Sequence, residues 1–448
     1  MAPPIAFDLT RLFLGPVIPT PRGIDRVDLG YAAHFLERWP GDCVATLPMP
    51  WGVRAIERSA ALRVVRTVAS IWGEMASPDD DPAYKFVKSR LAGVREPPVW
   101  LRGKAAAARR AACGMLRSIA HSGGMFGVRA AGEIPEDAVY LNTGQLGLAC
   151  DWMMAWLRRR PDVKPVFMLH DTIPIDYPEY VAPIARRLHA NMISNSARYA
   201  RGIIVTTETV RHSVTREIER RGRRDLSIFA ARLPVAPAFL KKETPDPDLA
   251  GRRYFVVCGT IEPRKNHRLL LEIWRQLVRE EGASAPKLVV VGTPWRRSAS
   301  VIEAVRRSQE LRDSVILVSG LTTPALRRLL SGATALLMPS LVEGFGLPII
   351  EALARGTPVI ASDLPAHREA GGSDVTYVDA GDRPAWLAAI RAHLDGRRAL
   401  REKLANHRAW TWADYAGHIE PFVEAVWREP RRGEGLAASL RAVPAPVR

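Results

Sequence analysis

The stretch that decides the fold is ALLMPSLVEGFGLPIIEALARGTPVIAS, residues 335–362. It begins with a short apolar run (335–338), turns through EGFG, and continues as a helix-like segment before a second apolar run (358–361). Apolar strands that alternate with helices are typical of a parallel sheet covered on both faces. The stretch therefore predicts a βαβ unit, and such units bind ligands at the carboxyl ends of their strands.

The same rhythm extends along the chain. In the C-terminal half, β-rich runs lie at 254–258, 287–291, 315–318, 335–338, 358–361 and 375–378. In the N-terminal half, less regular runs lie at 5–9, 43–47, 138–141, 165–169 and 202–206. We therefore predict an α/β fold of two doubly wound Rossmann-like domains that face a central cleft.

The length of 448 residues also favours two domains, because it exceeds what one hydrophobic core usually serves. Charge and proline at 240–250 predict a linker, and the polar end of the chain predicts a disordered tail. The predicted segments are an N-terminal domain at 1–239 with a basic helical insert near 52–135, a linker at 240–251, a C-terminal domain at 252–408, a helix at 409–427 and a tail at 428–448.

The formal net charge of +17 indicates anionic partners. Much of it lies in residues 85–129, which contain ten basic residues and one acid, Glu96. The basic residues are Lys85, Lys88, Arg90, Arg95, Arg102, Lys104, Arg109, Arg110, Arg117 and Arg129. An anionic membrane surface and a solvated helix surface both fit this segment. No aromatic-interleaved or zinc-ligand pattern accompanies the charge, so we expect no nucleic-acid partner.

The location expected from the sequence is the cytoplasm. No run of eighteen apolar residues predicts a membrane span, and the N-terminus lacks the pattern of a secretion signal. The four cysteines are far apart, which suits unpaired thiols in a reducing compartment.

Two glutamates flank the glycine turn of the opening stretch. Gly344 and Gly346 let backbone amides approach a ligand closely, and Glu351 can accept hydrogen bonds from two vicinal hydroxyls, as the acidic residue of a dinucleotide site does. The alternative is that Glu343 and Glu351 only favour the helix dipole.

Glycine turns follow two other strands of the C-terminal half. CGTIEPRKNH (258–267) places Gly259 and Thr260 after a strand and then offers Arg264 and Lys265. Cations and turn amides at a strand end suit a diphosphate, although surface charges on a loop would look the same. VVVGTPWRR (289–297) brings Gly292 to the same predicted edge.

These segments together resemble the retaining, GT-B fold glycosyltransferases of family 4. Their hallmark E-x7-E is matched by Glu343 and Glu351, and the likeness covers most of residues 252–380. The likeness implies that Glu351 holds the nucleotide ribose and that Arg264 and Lys265 hold the diphosphate. It places Glu343 and the amides of Gly344, Phe345 and Gly346 against the donor sugar. The turns at Gly259, Thr260 and Gly292 are predicted beside the phosphates from their position at the strand ends, independently of the resemblance.

The N-terminal half resembles the family at fewer points. PRGIDRV (21–27) stands where the family has a glycine loop, which implies that Gly23 lets this loop approach the diphosphate. His170, in FMLHDTIPIDYPEY (167–180), would reach the donor sugar from the opposite domain. Asp171 would position His170 or belong to the acceptor side. The family loop is often T-G-I-G-R, so we expect Asp25 to tune the choice of donor or acceptor. WTWADYA (410–416) resembles the segment that leads to the family's last helix, which crosses back to the N-terminal domain.

The D-x-D pattern of metal-binding transferases occurs only at Asp246/Asp248 and in the run Asp79–Asp81, and neither follows a strand, so we expect a metal-independent enzyme without a cofactor. The resemblance implies that it moves a sugar from a nucleoside diphosphate sugar to an acceptor hydroxyl with retention of configuration. A GDP-mannose type donor is favoured, and the acceptor is expected to be a lipid-linked saccharide in cell-surface polysaccharide synthesis. The expected location is the cytoplasm or the inner face of the cell membrane. Alternatives are a GT-B fold nucleotide-sugar epimerase and a non-catalytic basic protein that binds lipid or nucleic acid.

Overall fold

The computed structural model describes residues 2–17, 21–49, 52–72, 76–94, 104–122, 131–242, 246–295 and 298–430, with backbone only for 104–111 and 131. The chain forms two compact units. Unit 1 is built from the described residues within Met1–Trp72, Ala105–Leu233 and Trp412–Arg448, and unit 2 from those within Gly73–Lys104 and Pro234–Thr411.

The sheet of unit 1 has the strand order β3-β2-β1-β4-β5-β6-β7. All neighbouring pairs are parallel except β2 and β3, which are antiparallel. The strands are β1 (Ile5–Asp8), β2 (Cys43–Met49), β3 (Gly52–Glu57), β4 (Val139–Asn142), β5 (Lys164–Leu169), β6 (Gly202–Val205) and β7 (Ser227–Ala230).

The sheet of unit 2 is parallel throughout and has the order β10-β9-β8-β11-β12-β13. Its strands are β8 (Tyr254–Cys258), β9 (Lys287–Val291), β10 (Val315–Val318), β11 (Ala335–Met338), β12 (Val359–Ser362) and β13 (Thr376–Val378). Both sheets have the central first strand and outward winding of a doubly wound fold.

Helices cover the sheets, and the buried apolar side chains of the described residues include one core cluster in unit 1 and one in unit 2. In chain order the helices are α1 (Thr10–Phe13), α2 (Gly23–Ala33), α3 (Arg58–Ile71), α4 (Pro82–Leu91), α5 (Lys104–His121), α6 (Asp151–Met154), α7 (Ile173–Asp176), α8 (Pro183–Tyr199), α9 (Glu208–Glu219), α10 (Pro237–Leu240), α11 (His267–Glu281), α12 (Ala299–Arg307), α13 (Gln309–Ser314), α14 (Thr323–Gly332), α15 (Leu347–Leu353), α16 (Pro365–Gly371), α17 (Arg383–Asp395), α18 (Arg397–Lys403) and α19 (Trp412–Arg428). Across the described ranges, every helix is too short or too polar to span a membrane.

The eleven runs predicted as strands all form strands, with ends that differ by at most two residues. The sequence did not reveal β3 and β7. β3 carries Arg54 inside an otherwise apolar run and lies at the sheet edge, so its pattern is not that of a central strand. β7 is the other edge strand and is only partly buried.

Helix α4 lies within the predicted N-terminal domain but packs in unit 2. Asp81 accepts hydrogen bonds from the amide of Ala83, which caps α4, and from the amide of Thr322 at 2.8 Å. Lys88 pairs with Asp246 at 3.0 Å, and Asp248 takes part in the same ion pair. The aspartates of the predicted linker therefore anchor α4, which explains why this helix leaves the unit suggested by its position in the sequence.

The returning helix α19 packs in unit 1. Tyr31 contacts the rings of both Trp412 and Tyr415, and a Cβ on Gly30 would lie 2.0 Å from the ring of Trp412. The predicted helix at 409–427 thus corresponds to α19 with a later start. Residues 431–448 of the predicted tail and 243–245 of the predicted linker lie outside the described residues.

Only part of the basic segment 85–129 can be placed. Lys88 is paired as above, and Arg90 donates to the carbonyl of Arg312 within unit 2. In α5, Leu116 and Arg117 are exposed, while Gly114 packs against Ile71 of unit 1. Arg95, Arg102, Arg129 and the side chains of Lys104, Arg109 and Arg110 lie outside the described residues.

Candidate functional site

Glycine turns follow β8 and β9, which are neighbours in the unit 2 sheet. Gly259 has φ +139°, a conformation that other residues rarely adopt. A Cβ on Gly292 would lie 1.9 Å from the carbonyl oxygen of Gly259, so only glycine permits this approach. The amides of these turns continue the parallel pairing, since Gly259 donates to Val291 and Gly292 to Val318. Half-buried Thr260 follows at the same edge.

A single turn at Pro263–Lys265 brings two cations to this edge. The turn ends at Asn266, which adopts the left-handed conformation (φ +53°) and donates its side-chain amide to the carbonyl of Ala380 at 3.1 Å. Helix α11 then begins at His267. The side chain of Lys265 lies against Gly259: a Cβ on Gly259 would lie 3.2 Å from Lys265 Cε.

The two cations converge on Glu343, which follows β11. Arg264 donates to Glu343 Oε2 at 2.8 Å, and Lys265 Nζ donates to Glu343 Oε1. The hydroxyl of Ser340 also donates to Oε1 at 2.7 Å. A second carboxylate, Glu262, lies 2.7 Å from the other terminal nitrogen of Arg264. The structure therefore brings together Arg264, Lys265 and Glu343, three of the residues that the sequence predicts for the site.

This cluster is largely shielded from water. The side chain of Glu343 is 9% exposed and that of Lys265 is 11% exposed. Burial by itself would raise the pKa of Glu343, but the charges of Lys265 and then Arg264 outweigh it and hold that pKa well below its usual range. Glu343 is consequently ionised at all ordinary pH values, as a counter-ion to two cations.

The second glutamate of the motif lies on the short helix after the turn. Gly346 precedes α15 with φ +114°, so a glycine is required there. Phe345 is buried, and Glu351 on α15 is only 2% exposed. Gly344 completes the turn between Glu343 and α15. Burying a carboxylate costs free energy unless the carboxylate is hydrogen-bonded. Glu351 is therefore not simply a surface charge placed near a helix end.

Sequence reasoning missed His367, on α16 just beyond the end of β12. Its ring is fully buried, and Nδ1 donates to the carbonyl of Ser362 at 2.8 Å. Among the described residues, Nε2 has no hydrogen-bond partner. A Cβ on Gly346 would lie 3.2 Å from this ring, and burial lowers the pKa of His367 against the attraction of Glu343. The signal available was a histidine five residues after a strand.

Unit 1 presents its own residues at the carboxyl edge of its sheet. His170 follows β5, and its Nε2 donates to the carbonyl of Thr143, which follows the neighbouring strand β4, at 2.9 Å. Burial lowers the pKa of His170 to about 4, so the imidazole is neutral near pH 7. The carboxylate of Asp171 accepts from the amide of Ile173 at 3.1 Å, a contact that supports the turn into α7.

The glycine loop of unit 1 forms the start of α2. Gly23 is its first residue, and Asp25 is fully buried in its first turn. Asp25 accepts from the amide of Arg22 and from the guanidinium of Arg11, both at 2.7 Å. The carboxylate of Asp25 is thus bound by the chain's own groups and shapes the loop, and its part in donor or acceptor choice stays a prediction.

Two further buried acids were not found from the sequence. Asp8, at the end of β1, accepts from the hydroxyl of Tyr140, and Asp28 accepts from the hydroxyl of Thr143 at 2.6 Å. Burial raises the pKa of Asp8 to about 6 and that of Asp28 to about 7. The pairing of β1 with β4 brings Asp8 to Tyr140, and Asp28 reaches Thr143 from helix α2, so no local sequence signal predicts these contacts.

Two α/β units with doubly wound sheets of this kind fit the GT-B class of fold. Residues 252–395 match the family model of the glycosyl transferases group 1. The C-terminal unit therefore contains a glycosyl transferases group 1 domain, and the resemblance predicted from the sequence is confirmed there.

Individual relatives carry similar descriptions. The chain is 26% identical over 227 residues to the O-antigen chain mannosyltransferase RfbU of Salmonella typhimurium, covering 50% of this chain and 59% of the relative. It is 27% identical over 269 residues to the serotype-specific mannosyltransferase WbdA of Escherichia coli, covering 56% and 32%. The chain thus spans less than two thirds of the length of either relative.

Solved structures support the fold over nearly the whole chain. Sucrose-phosphate synthase from Thermosynechococcus elongatus has a TM-score of 0.56 at 17% identity, covering 95% of this chain and 99% of that one. An α,α-trehalose-phosphate synthase from Burkholderia vietnamiensis has a TM-score of 0.53 at 13% identity with the same coverage. The predicted GT-B fold class is confirmed.

Proposed function

We propose that this protein is a retaining glycosyltransferase that moves a sugar from a nucleoside diphosphate donor to an acceptor hydroxyl. The observation that carries the proposal is the cluster of Arg264, Lys265 and Glu343 at the carboxyl edge of the unit 2 sheet. Buried cations beside glycine turns suit a diphosphate, which would otherwise need water or a metal to balance its charge.

Each residue of the unit 2 edge receives a role in this proposal. Arg264 and Lys265 bind the diphosphate and stabilise the negative charge that it gains as the bond to the sugar breaks. Glu351 accepts hydrogen bonds from the ribose hydroxyls, and Glu343 accepts from the donor sugar. The turns at Gly259, Thr260 and Gly292 admit the phosphates, and those at Gly344, Phe345 and Gly346 admit the sugar. Retention of configuration is carried from the family resemblance.

The unit 1 edge is proposed to serve the sugar and the acceptor. His170 is neutral near pH 7 and has one ring nitrogen held by the carbonyl of Thr143, which leaves the other as an acceptor for a hydroxyl. Gly23 is proposed to give its loop close access to the diphosphate. Asp171 keeps two proposed roles, in positioning His170 through its charge or in the acceptor site.

The reaction is proposed to need no metal ion, because Arg264 and Lys265 already supply positive charge to the leaving diphosphate. Turnover should therefore survive treatment with EDTA. A complete loss in EDTA that magnesium or manganese restores would contradict this part of the proposal.

The donor is proposed to be of the GDP-mannose type, and the acceptor a lipid-linked saccharide in cell-surface polysaccharide synthesis. Two relatives described as mannosyltransferases, one of them of the O-antigen chain, support this choice. The protein would act in the cytoplasm, at the inner face of the membrane. Exposed Leu116 and Arg117 on α5 support contact with an anionic surface, since a basic residue near such a surface contributes about 1 kcal/mol. Arg117→Ser should then weaken binding to acidic vesicles, and unchanged binding would count against this contact.

A panel of nucleotide sugars tests the activity. The correct donor should raise the melting temperature, because a ligand that binds the native state stabilises it. With a saccharide acceptor it should release nucleoside diphosphate and form a new glycoside. Isomerisation of the donor sugar without acceptor would instead favour a nucleotide-sugar epimerase. The absence of any melting shift across the panel would contradict the proposal.

A further inference from the structure

Glu343 occupies the hydrogen-bonding positions of the same two cations that the proposed function assigns to the diphosphate. One carboxylate oxygen accepts from Arg264 at 2.8 Å and the other from Lys265. The ammonium of Lys265 and the carboxylate of Glu343 are both at least 89% shielded from water. Water therefore screens the attraction between these two charges only weakly.

We propose that Glu343 is an internal counter-ion that a nucleoside diphosphate displaces from Arg264 and Lys265 when it binds. This inference rests on the proposed function. The diphosphate brings more negative charge than one carboxylate, so it can replace Glu343 at both cations. Two anions at one cation pair would repel each other, so the carboxylate has to leave at least one of its partners.

The backbone around the cluster restricts how this exchange occurs. The amide of Leu341 donates to the carbonyl of Arg264 at 2.7 Å, which ties the loop after β11 to the loop after β8. Arg264 also donates to the carbonyl of Val342 at 3.3 Å. Because the two loops are fastened together, Glu343 leaves the cations by rotation of its side chain.

Ser340 determines how firmly Glu343 is held. Its hydroxyl donates to the carboxylate oxygen that also faces Lys265, at 2.7 Å. Ser340 is fully buried, so this hydrogen bond does not compete with bulk water. The free energy needed to move Glu343 away from the cations therefore depends partly on the hydroxyl of Ser340, which has no role in diphosphate binding in the proposed site.

The exchange gives the donor sugar a role in binding. A carboxylate that leaves two cations needs new donors, and the hydroxyls of the transferred sugar supply them. A free nucleoside diphosphate displaces Glu343 without offering such hydroxyls. The sugar nucleotide should consequently bind more tightly than the diphosphate, although the diphosphate carries the greater charge.

The test compares the binding of GDP and UDP to the wild type and three variants by calorimetry. Glu343→Gln removes the counter-ion charge, and Ser340→Ala keeps the charge but loosens it. Glu262→Gln is the matched control, because Glu262 pairs with Arg264 at 2.7 Å and acts on Lys265 only as a weaker, more distant charge than Glu343. Melting curves of each variant verify folding, and GMP and UMP serve as ligands that lack the second phosphate.

Glu343→Gln should bind the diphosphate of the correct base about tenfold more tightly while turnover falls, since one charge-assisted hydrogen bond no longer has to be broken. Ser340→Ala should tighten binding about threefold, and Glu262→Gln by less. The monophosphates should change little. This divergence of affinity and turnover would not arise from a purely structural role.

Two outcomes separate this inference from the proposed function. If the wild type and all variants bind neither GDP nor UDP, the proposed donor class is wrong, and the inference falls with it. If the wild type binds a diphosphate but Glu343→Gln and Ser340→Ala bind it no more tightly, the counter-ion inference alone is overturned. An equal gain of diphosphate affinity in Glu262→Gln and Glu343→Gln also overturns the counter-ion inference, because such a gain would reflect only the change in net charge.

Discussion

The carboxyl edges of the two sheets bury acids under opposite conditions. At the unit 2 edge, Glu343 lies between two cations, and its pKa is held low. At the unit 1 edge, Asp8 and Asp28 are buried with fewer positive neighbours, and burial raises their pKa values to about 6 and about 7. One edge therefore presents a carboxylate that two cations keep ionised and that is suited to exchange for an anion, whereas the other holds carboxyl groups whose ionisation is opposed by burial. The difference shows that position at a sheet edge does not by itself determine what a carboxyl group does.

The largest effect is expected at the unit 2 edge, where Lys265 and Arg264 lie. Lys265→Ala should lower turnover at saturating donor by about tenfold to a hundredfold, because a charge-assisted hydrogen bond contributes roughly 1.5–3 kcal/mol and this one strengthens as the diphosphate leaves. Binding of nucleoside diphosphate should weaken more than binding of the monophosphate. Steady-state kinetics and calorimetry measure both quantities.

Lys287→Ala provides the control for this change. Lys287 is a partly buried lysine at the amino end of β9, where it donates to the carbonyl of Asp313 at 2.9 Å. Its loss should affect stability without the change in turnover. Unchanged turnover in Lys265→Ala, with equal losses for both nucleotides, would remove Lys265 from the diphosphate site.

At the unit 1 edge, the buried acids Asp8 and Asp28 should make the unfolding free energy depend on pH. Burial raises the pKa of Asp28 from 3.8 to about 7 in the folded state, so the bound proton stabilises the fold fully below about pH 4 and this contribution is lost as the pH rises through 7. Between about pH 5.5 and 7.5 the wild type should lose on the order of 2 kcal/mol of unfolding free energy relative to Asp28→Asn. Urea unfolding at several pH values measures the difference.

Asp8→Asn sharpens the same measurement. Burial raises the pKa of Asp8 to about 6, so this variant should remove a stability change centred about one pH unit lower. The charged groups that face Asp28 are Arg11, Asp8 and Asp25, and all stay in place in Asp28→Asn. Parallel pH profiles for Asp28→Asn and the wild type would show that Asp28 does not carry a proton in the fold.

The smallest effect expected is at Glu351. Glu351→Ala should raise the Michaelis constant for the donor roughly tenfold with a smaller change in turnover, because ribose contacts persist from ground state to transition state. Glu351→Gln retains an acceptor oxygen and should lie between the wild type and the alanine variant. A collapse of turnover at an unchanged Michaelis constant would contradict the ribose assignment and would move Glu351 toward the reacting bond.

Local patterns predicted the sheet better than they predicted the acid network. The apolar runs before Gly259, Gly292 and Glu343 identify three parallel strands, and parallel strands place their carboxyl ends at one edge. That rule was sufficient to predict that the turns after these strands reach one rim of the sheet. It could not predict Asp28, because its partner Thr143 is 115 residues away and only folding selects it.

The departures have the same physical origin. β3 was missed because an edge strand does not need a continuous apolar pattern. Helix α4 was assigned to the N-terminal domain by position, whereas Asp81 and Lys88 bind partners in unit 2. The pairing of Asp25 with Arg11 was not predicted either, because the two residues are 14 positions apart in the chain. Contacts distant in sequence decide each case.

The return of α19 to unit 1 has a consequence for the order of folding during synthesis. Tyr31 contacts Tyr415, so the core of unit 1 contains a partner that the ribosome adds 384 residues later. Unit 2, whose described residues end at Thr411, can complete its core before that helix emerges. The unit that begins first is therefore finished last, and until then the face around Tyr31 and Phe35 is exposed as an apolar surface for chaperones or for aggregation.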